Sequence, residues 1–381
     1  MSYINLSLYI HIPFCYSKCP YCGFYSIVDR DDLLKNHYIN ALKKEIEIYS
    51  KKYPNITIKS IYLGGGTPTI LSGKQISEIL NFCYEKFNVK KYIEITIESN
   101  PATFDYEKAK IIFQSGINRL SIGAQAFNNK LLKNIGRIHH KKEIINSFEI
   151  ARSVGFKNIN LDVMFGLPGQ TISNFNQALE KLVEMHPEHI SLYGLSIEPG
   201  TPFEVAVKKR IMKLPSDDIT YKMYQKAIDF LKSNGYEQYE ISNFSLTEKQ
   251  CLHNKIYWKN HQYLGLGPSA TSYVHKNRFK NISNVIEYIH LLRYNILPVE
   301  SKEILPLKEE MAETVILHLR MMEGINSNDF KSRFKIQIEE VFGKQFNKLI
   351  DLGLLDKNET NYFLNRRGIA LSNIVFIEFL D

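Results

Sequence analysis

Six short apolar runs, rich in β-branched and aromatic residues, recur through the first half of the chain. They cover residues 6–12, 58–63, 93–98, 119–123, 158–164 and 189–195. Between them lie segments with apolar residues at helical spacing, among them 38–49, 76–87, 106–114, 141–154 and 174–185. Strands alternating with helices predict βα units and a parallel sheet, either a partial barrel or a doubly wound sheet. Each run ends in polar or glycine-rich residues: a cysteine loop, Gly64-Gly65-Gly66-Thr67-Pro68, Glu98-Ser99-Asn100-Pro101, Gly123-Ala124-Gln125, Gly166-Leu167-Pro168-Gly169 and Tyr193-Gly194. In a parallel barrel all strand carboxyl ends emerge on one face, and the active site is built there.

The loop after the first run carries the most specific chemistry. Residues 9–26 read YIHIPFCYSKCPYCGFYS and place Cys15, Cys19 and Cys22 at C-x3-C-x2-C spacing. Thiolates this close can converge on one metal centre, and iron–sulfur clusters are usually held by four. Here the residue two after Cys22 is Phe24. Three thiolates on a cubane leave one iron open to a small chelator. The competing reading is a structural zinc site with His11 as fourth ligand, but no second cysteine pair exists to complete a ribbon. Five cysteines without a secretory signal point to a reducing cytoplasm rather than a disulfide framework. Cys83 and Cys251 read as ordinary thiols.

No apolar run approaches the length needed to span a bilayer. The +8 charge, 48 basic against 40 acidic residues, is spread along the chain. That pattern reads as a solvated surface and not as a nucleic-acid face.

The glycine run lacks the lysine of a phosphate loop; it reads either as only a turn or as backbone free to bind an amino acid's ammonium and carboxylate. Glu98 and Asp162 at strand ends suit ribose hydroxyls and an ammonium group. Alternatively they are barrel-mouth ion-pair partners of Arg119 and Arg137. After residue 210 the rhythm changes. A helix over 219–233 precedes the segment HNKIYW at 253–258, a glycine turn at 264–270, a helix over 285–294 and a proline-marked linker. His253 reads either as a core residue beside Tyr257 and Trp258 or as an axial ligand for heme iron. His11, His139, His140 and Cys251 remain alternative ligands. From 309 onward, three helices and a small hairpin read as a winged-helix-type module. The expected division is 1–210, 211–300 and 305–381.

The cysteine loop, with GGGTPT at 64–69, ESNP at 98–101 and LDVMFGLPGQ at 161–170, resembles the radical S-adenosylmethionine (SAM) superfamily. Nearly the whole chain is similar to its HemN/HemW family, which comprises oxygen-independent coproporphyrinogen III dehydrogenases and HemW-type heme chaperones. The resemblance implies a partial (β/α)6 TIM-like radical SAM barrel with a C-terminal winged-helix-like α+β domain. It implies a [4Fe-4S] cluster on Cys15, Cys19 and Cys22, with SAM on the open iron. Tyr9, Tyr21, Gly65, Gly66, Thr67 and Glu98 match a first SAM site, and Gln125, Arg137, Asp162 and Gly194 match further SAM-contacting positions. The dehydrogenases carry C-G-C where this chain has Cys22-Gly23-Phe24, and they have a long N-terminal extension. The departures and HNKIYW resemble the chaperone branch. That branch implies a cytoplasmic protein, compatible with a homodimer, that binds heme and passes it to an apo-hemoprotein such as a membrane respiratory subunit.

Overall fold

The computed structural model describes residues 4–29 and 31–380. Six strands lie side by side in chain order and all run parallel: β1 (Ile4–Ile12), β2 (Ile56–Gly65), β3 (Asn88–Ser99), β4 (Arg119–Gln125), β5 (Ile159–Phe165) and β6 (His189–Gly194). Helices α1 (Asp32–Lys52), α2 (Gly73–Lys86), α3 (Tyr106–Gln114), α4 (Lys141–Val154) and α5 (Ile172–Glu184) return the chain between them, and α6 (Asp217–Ser233) follows β6. This is the expected partial (β/α)6 barrel.

Strand alternation explains its two faces. Leu8, Ile10, Ile61, Leu63, Ile97, Leu120, Ile122, Leu161, Val163 and Ile190 are buried and join the helices' apolar residues in one core. Burying each contributes about 2 kcal/mol. The intervening positions are polar and line up across the sheet. Ser7 is paired with Ser60, Tyr9 with Tyr62, Thr96 with Arg119, Glu98 with Ser121, Ser121 with Asn160 and Asp162 with Ser191. Side chains two apart share a face, so the concave side of the sheet is hydrogen-bonding while the helix-covered side is dry.

The sheet continues beyond the six strands. At one end are β7 (Glu237–Glu240) and β8 (Asn243–Ser245). At the other are β9 (Tyr263–Leu266), β10 (Thr271–Val274), β11 (Asn277–Asn281) and β12 (Val299–Ile304). The full order is β12-β11-β10-β9-β1-β2-β3-β4-β5-β6-β8-β7. Residues 264–270, expected as a glycine turn, therefore begin as a strand parallel to β1. Gly265 is there for close approach: a Cβ would stand 2.2 Å from the Thr271 carbonyl oxygen. The proline-marked segment expected as a linker is the edge strand β12, exposed over most of its length and so without an alternating apolar signature. HNKIYW lies on the short helix α7 (Leu252–Trp258) and α8 (Val285–Arg293) packs beside α1.

Helices α9 (Leu307–Leu319), α10 (Ser327–Phe334) and α11 (Ile338–Asp351) follow, with a three-stranded antiparallel sheet of β13 (Ile325–Asn326), β14 (Leu355–Lys357) and β15 (Asn361–Leu364). They enclose a second core that includes Val315, Phe342, Phe346 and Phe379. Trp258 lies over the Arg320 guanidinium at 4.3 Å, Arg333 donates to the Asn260 carbonyl at 3.1 Å, and the Tyr273 hydroxyl of β10 donates to the buried Glu310 at 3.3 Å, tying this module to the sheet.

The junction of α1, α8 and β11 turns on Glu45, fully buried. Its carboxylate accepts the Tyr288 hydroxyl (2.6 Å), the Asn281 amide (2.6 Å) and the Gly267 N–H (2.8 Å). Burial outweighs these bonds and raises its pKa from 4.5 to about 7. A raised folded-state pKa means stability present at low pH and lost as pH rises through that window. The stability of wild type relative to Glu45→Gln should therefore fall by up to about 3 kcal/mol between pH 4.5 and pH 7. Denaturant titrations of both proteins across that range measure it.

Candidate cofactor site at the barrel mouth

The cysteine loop leaves the end of β1 at Pro13 and is tied at its base. Phe14–Cys15 pairs with Ile27–Val28, and the Ile27 N–H donates to the Pro13 carbonyl at 2.7 Å. All three loop cysteines are free thiols; Cys15 is buried and Cys19 and Cys22 are half-buried. The Cys22 N–H donates to the Cys19 carbonyl (3.1 Å), and the Cys15 sulfur is 3.6 Å from the Thr67 hydroxyl. Burial pushes the Cys22 thiol up, and negative charge on Cys19 and Cys15 works the same way. A buried sulfur of this kind is at ease as a thiolate only beside compensating positive charge, which an iron centre supplies. One fixed cation is already present. Arg137 donates to the Cys19 sulfur at 3.4 Å, to the Gly123 carbonyl at 2.9 Å and to the Asn100 side chain.

The zinc alternative is not formed. His11 bonds the Tyr9 hydroxyl through Nδ1 (2.9 Å) and the Tyr25 carbonyl through Nε2 (2.9 Å). Among the described residues no three His, Cys, Asp or Glu side chains are placed to share one metal ion. A cubane makes a different demand, since each thiolate takes its own iron. A loop carrying three free thiols, with an arginine at one sulfur, fits that donor set.

The glycine run passes directly beneath this loop. The Gly66 N–H donates to the Ile12 carbonyl and the Thr67 N–H to the Phe14 carbonyl, both at 2.8 Å. A Cβ on Gly66 would stand 2.6 Å from the Phe14 oxygen, so only glycine allows this approach. Glu98 is held at the rim by the Tyr62 hydroxyl (2.7 Å) and the Gly65 N–H (3.2 Å). Burial raises its pKa to about 7, with the Asp162 charge adding to the effect. Asp162 accepts from Asn160 (2.7 Å) and Ser121 (3.1 Å), and burial raises its pKa too. Neither carboxylate forms an ion pair with Arg119 or Arg137 among the described residues.

Tyr9 stacks on Tyr62 with centroids 6.3 Å apart. Tyr21 packs against Phe203 within the cysteine loop's surroundings. Gln125 closes β4 at φ 62°, and Gly194 closes β6, exposed. A cavity of about 300 Å³ opens between Cys19, Thr67, Asn100, Arg137 and His140. Asn100 is the residue the sequence reading left out. Its amide donates to Thr67 at 2.7 Å and its oxygen accepts Arg137, so it joins the glycine run to the cysteine loop. The E-S-N-P motif contained that signal.

His253 has a different place. It is fully buried on α7, inside the sheet's concave side. Nδ1 bonds Ser60 at 2.8 Å and Nε2 bonds the Tyr257 hydroxyl at 3.0 Å. Burial lowers its pKa to about 3, with the Arg119 charge adding to it. The expected heme ligand is thus, in this conformation, a neutral hydrogen-bonded core residue with no nitrogen to offer. Glu94 fixes α7 from below, accepting the N–H groups of Leu252 (2.9 Å) and His253 (3.0 Å) and the Cys251 thiol (3.4 Å). Burial pushes that thiol up to about 12, so it stays neutral. Among the other candidates, His139 is buried against the Ala124 carbonyl (3.3 Å), while His140 is exposed at the cavity.

Residues 9–182 match the Radical SAM superfamily, and residues 305–371 match the HemN C-terminal domain. The Heme chaperone HemW of Lactococcus lactis is 35% identical over 98% of this chain and 97% of its own length. The chain belongs to the HemN/HemW family. A second Heme chaperone HemW, from Bacillus subtilis, is 35% identical over 98% of this chain and 99% of its own. Among solved structures, the radical SAM enzyme coproporphyrinogen III oxidase (HemN) of Escherichia coli superposes with a TM-score of 0.87 at 25% identity, covering 99% of this chain and 90% of that one. No helix among the described residues is long and apolar enough to cross a membrane.

Two outcomes follow from this geometry. After anaerobic reconstitution, wild type should bind about four irons per chain, and Cys19→Ser or Cys22→Ser should hold less than about a quarter of that by iron and sulfide analysis. Glu94→Ala strands two buried donors and one half-buried donor at α7, so it should lower unfolding free energy by about 2–4 kcal/mol in denaturant titration.

Proposed function

We propose that this protein is a heme chaperone of the HemW type, which binds heme and delivers it to an apo-hemoprotein. Its near full-length similarity to proteins named heme chaperones carries the reading. Phe24 supports it: the position carries an exposed aromatic ring where the dehydrogenases resembled above have a cysteine. In this reading residues 1–210 form the radical SAM core, 211–300 a family-specific extension and 305–381 the C-terminal domain. The protein acts in the cytoplasm.

Cys15, Cys19 and Cys22 would hold a [4Fe-4S] cluster, and SAM would take its open iron. When bound, that pair supplies reductive cleavage of SAM to a 5′-deoxyadenosyl radical. This chain's own residues bind and orient. The N–H groups of the glycine run and Glu98 suit the amino-acid end of SAM, and Asp162 suits hydroxyl or ammonium donors. Arg137 steadies the sulfur of Cys19. Tyr9, Tyr21, Thr67, Gln125 and Gly194 complete the proposed SAM surroundings.

Hemin titration of the reconstituted protein tests the carrier role. One heme per chain should bind and then transfer to an apo-hemoprotein, for instance a membrane respiratory subunit presented in detergent. Failure to form a stoichiometric complex would falsify the reading.

The fold match to HemN favours a second reading, oxidative decarboxylation of coproporphyrinogen III. Supplied with SAM, a reductant and that porphyrinogen, the cluster-loaded protein should give no protoporphyrinogen; product formation would establish the enzyme instead.

A further inference from the structure

The carrier reading leaves open where heme is held. The cargo has a flat apolar ring, two propionates on one edge and an iron that takes imidazole. A site for it needs an apolar floor, two cations and a histidine with a free nitrogen. Among the described residues, four histidines border the three main cavities: His37, His139, His140 and His275. His139 is buried and bonded to a carbonyl. His140 borders the mouth cavity, where Cys19 and Arg137 also stand, a place needed for the cluster and SAM. The cavity at His275 is only about 160 Å³.

The cavity at His37 is the largest of the three, about 450 Å³, within the usual range of roughly 300–1,000 Å³ for ligand pockets. It lies between α1 and α8. His37, Asn40, Ala41 and Lys44 line one wall at helical spacing, and Ile289, Leu292 and Arg293 line the other. Residues three and four apart share one helix face, so each wall is continuous. Ala41 and Leu292 are buried and make an apolar floor. Leu33, one turn before His37, and Ile286, one turn before Ile289, are 59% and 61% exposed, so the apolar surface extends past the cavity. His37 and Arg293 are exposed, and neither has a hydrogen-bond or ion-pair partner among the described residues. Lys44 shares Glu47 with Lys51, at 3.0 and 2.6 Å, so one positive charge of that trio is unmatched. The walls are rigid. Tyr38 stacks on Tyr288 across the α1–α8 contact at 6.1 Å, and Glu45 bonds Tyr288 directly beneath.

We propose that the groove between α1 and α8 is a heme-docking site, with His37 the axial ligand and Lys44 and Arg293 the partners of the two propionates. The proposal rests on the carrier reading, and it puts the cargo on the helical flank, apart from the cofactors at the mouth. It also accounts for cargo binding with His253 in its closed arrangement.

Titrations of reconstituted full-length protein with hemin and with iron-free protoporphyrin IX test it. His37→Ala should weaken hemin binding at least tenfold and change its absorption spectrum, while protoporphyrin binding stays within about twofold. The double variant Lys44→Glu/Arg293→Glu should weaken both ligands at least tenfold. His253→Ala is the comparison: hemin affinity matching wild type is expected. Circular dichroism and iron content check that each variant is folded and loaded. Wild-type failure to bind hemin removes the carrier reading itself. Wild-type binding that neither His37→Ala nor the double variant alters overturns this site and leaves the carrier reading standing. Loss of the hemin complex in His253→Ala alone also overturns the site, because the iron ligand is then on α7.

Discussion

A concave sheet lined with hydrogen-bonding side chains must satisfy them without bulk water, and here that requirement converges on the carboxylate of Glu94. Its two oxygens take the start of α7, two backbone N–H groups and a thiol, at a helix end where unpaired donors and the dipole both favour an anion. Arg119, buried nearby, keeps its charge against the cost of burial, helped by the Glu94 carboxylate. From there the network runs through bonded neighbours. Ser60 joins Ser7 to His253, and Asn160 joins Ser121, Asp162, Ser191 and His189. His189 reaches Tyr239, whose hydroxyl accepts the Cys251 N–H. Closed in this way, the lower part of the barrel is a solid polar core. The open chemistry is left to the upper end.

The upper end is organised by charge. Three sulfurs, Glu98 and Asp162 face a region with one fixed cation, Arg137, bonded to a sulfur. Burial raises the pKa of both carboxyls, a cost that a cationic partner placed beside them would offset. Asn100 holds the cysteine loop and the glycine run in register through one amide, so neither half of the site is placed independently.

How legible this was depended on whether a segment's role left a periodic trace. β1 to β6 and their helices alternate apolar and polar residues, and α3 and α4 have the bounds read from spacing alone. The cysteine loop announces itself by spacing. The added strands beyond residue 260 do not. β9 is written with glycines because backbone must approach backbone, and β12 is an exposed edge with no buried face to mark it. The sequence left His253 open between two readings for a related reason. Its motif holds a histidine and aromatic residues, which suit either a metal pocket or a packed floor. Only the neighbours Ser60 and Glu94, brought from distant strands, decide the geometry. The α1–α8 groove left no motif at all, since its walls come from segments some 250 residues apart.

One short helix touches both parts. α7 has seven residues and spans about 10 Å. At one end it is clamped to Glu94 within the barrel, and at the other Trp258 rests on Arg320 of the C-terminal module. Backbone bonds fix the same seam: the Ile241 N–H donates to the Arg320 carbonyl and the Met322 N–H to the Tyr239 carbonyl, both at 3.0 Å. One buried carboxylate on a barrel strand therefore sets the position of the short helix on which the second core is seated.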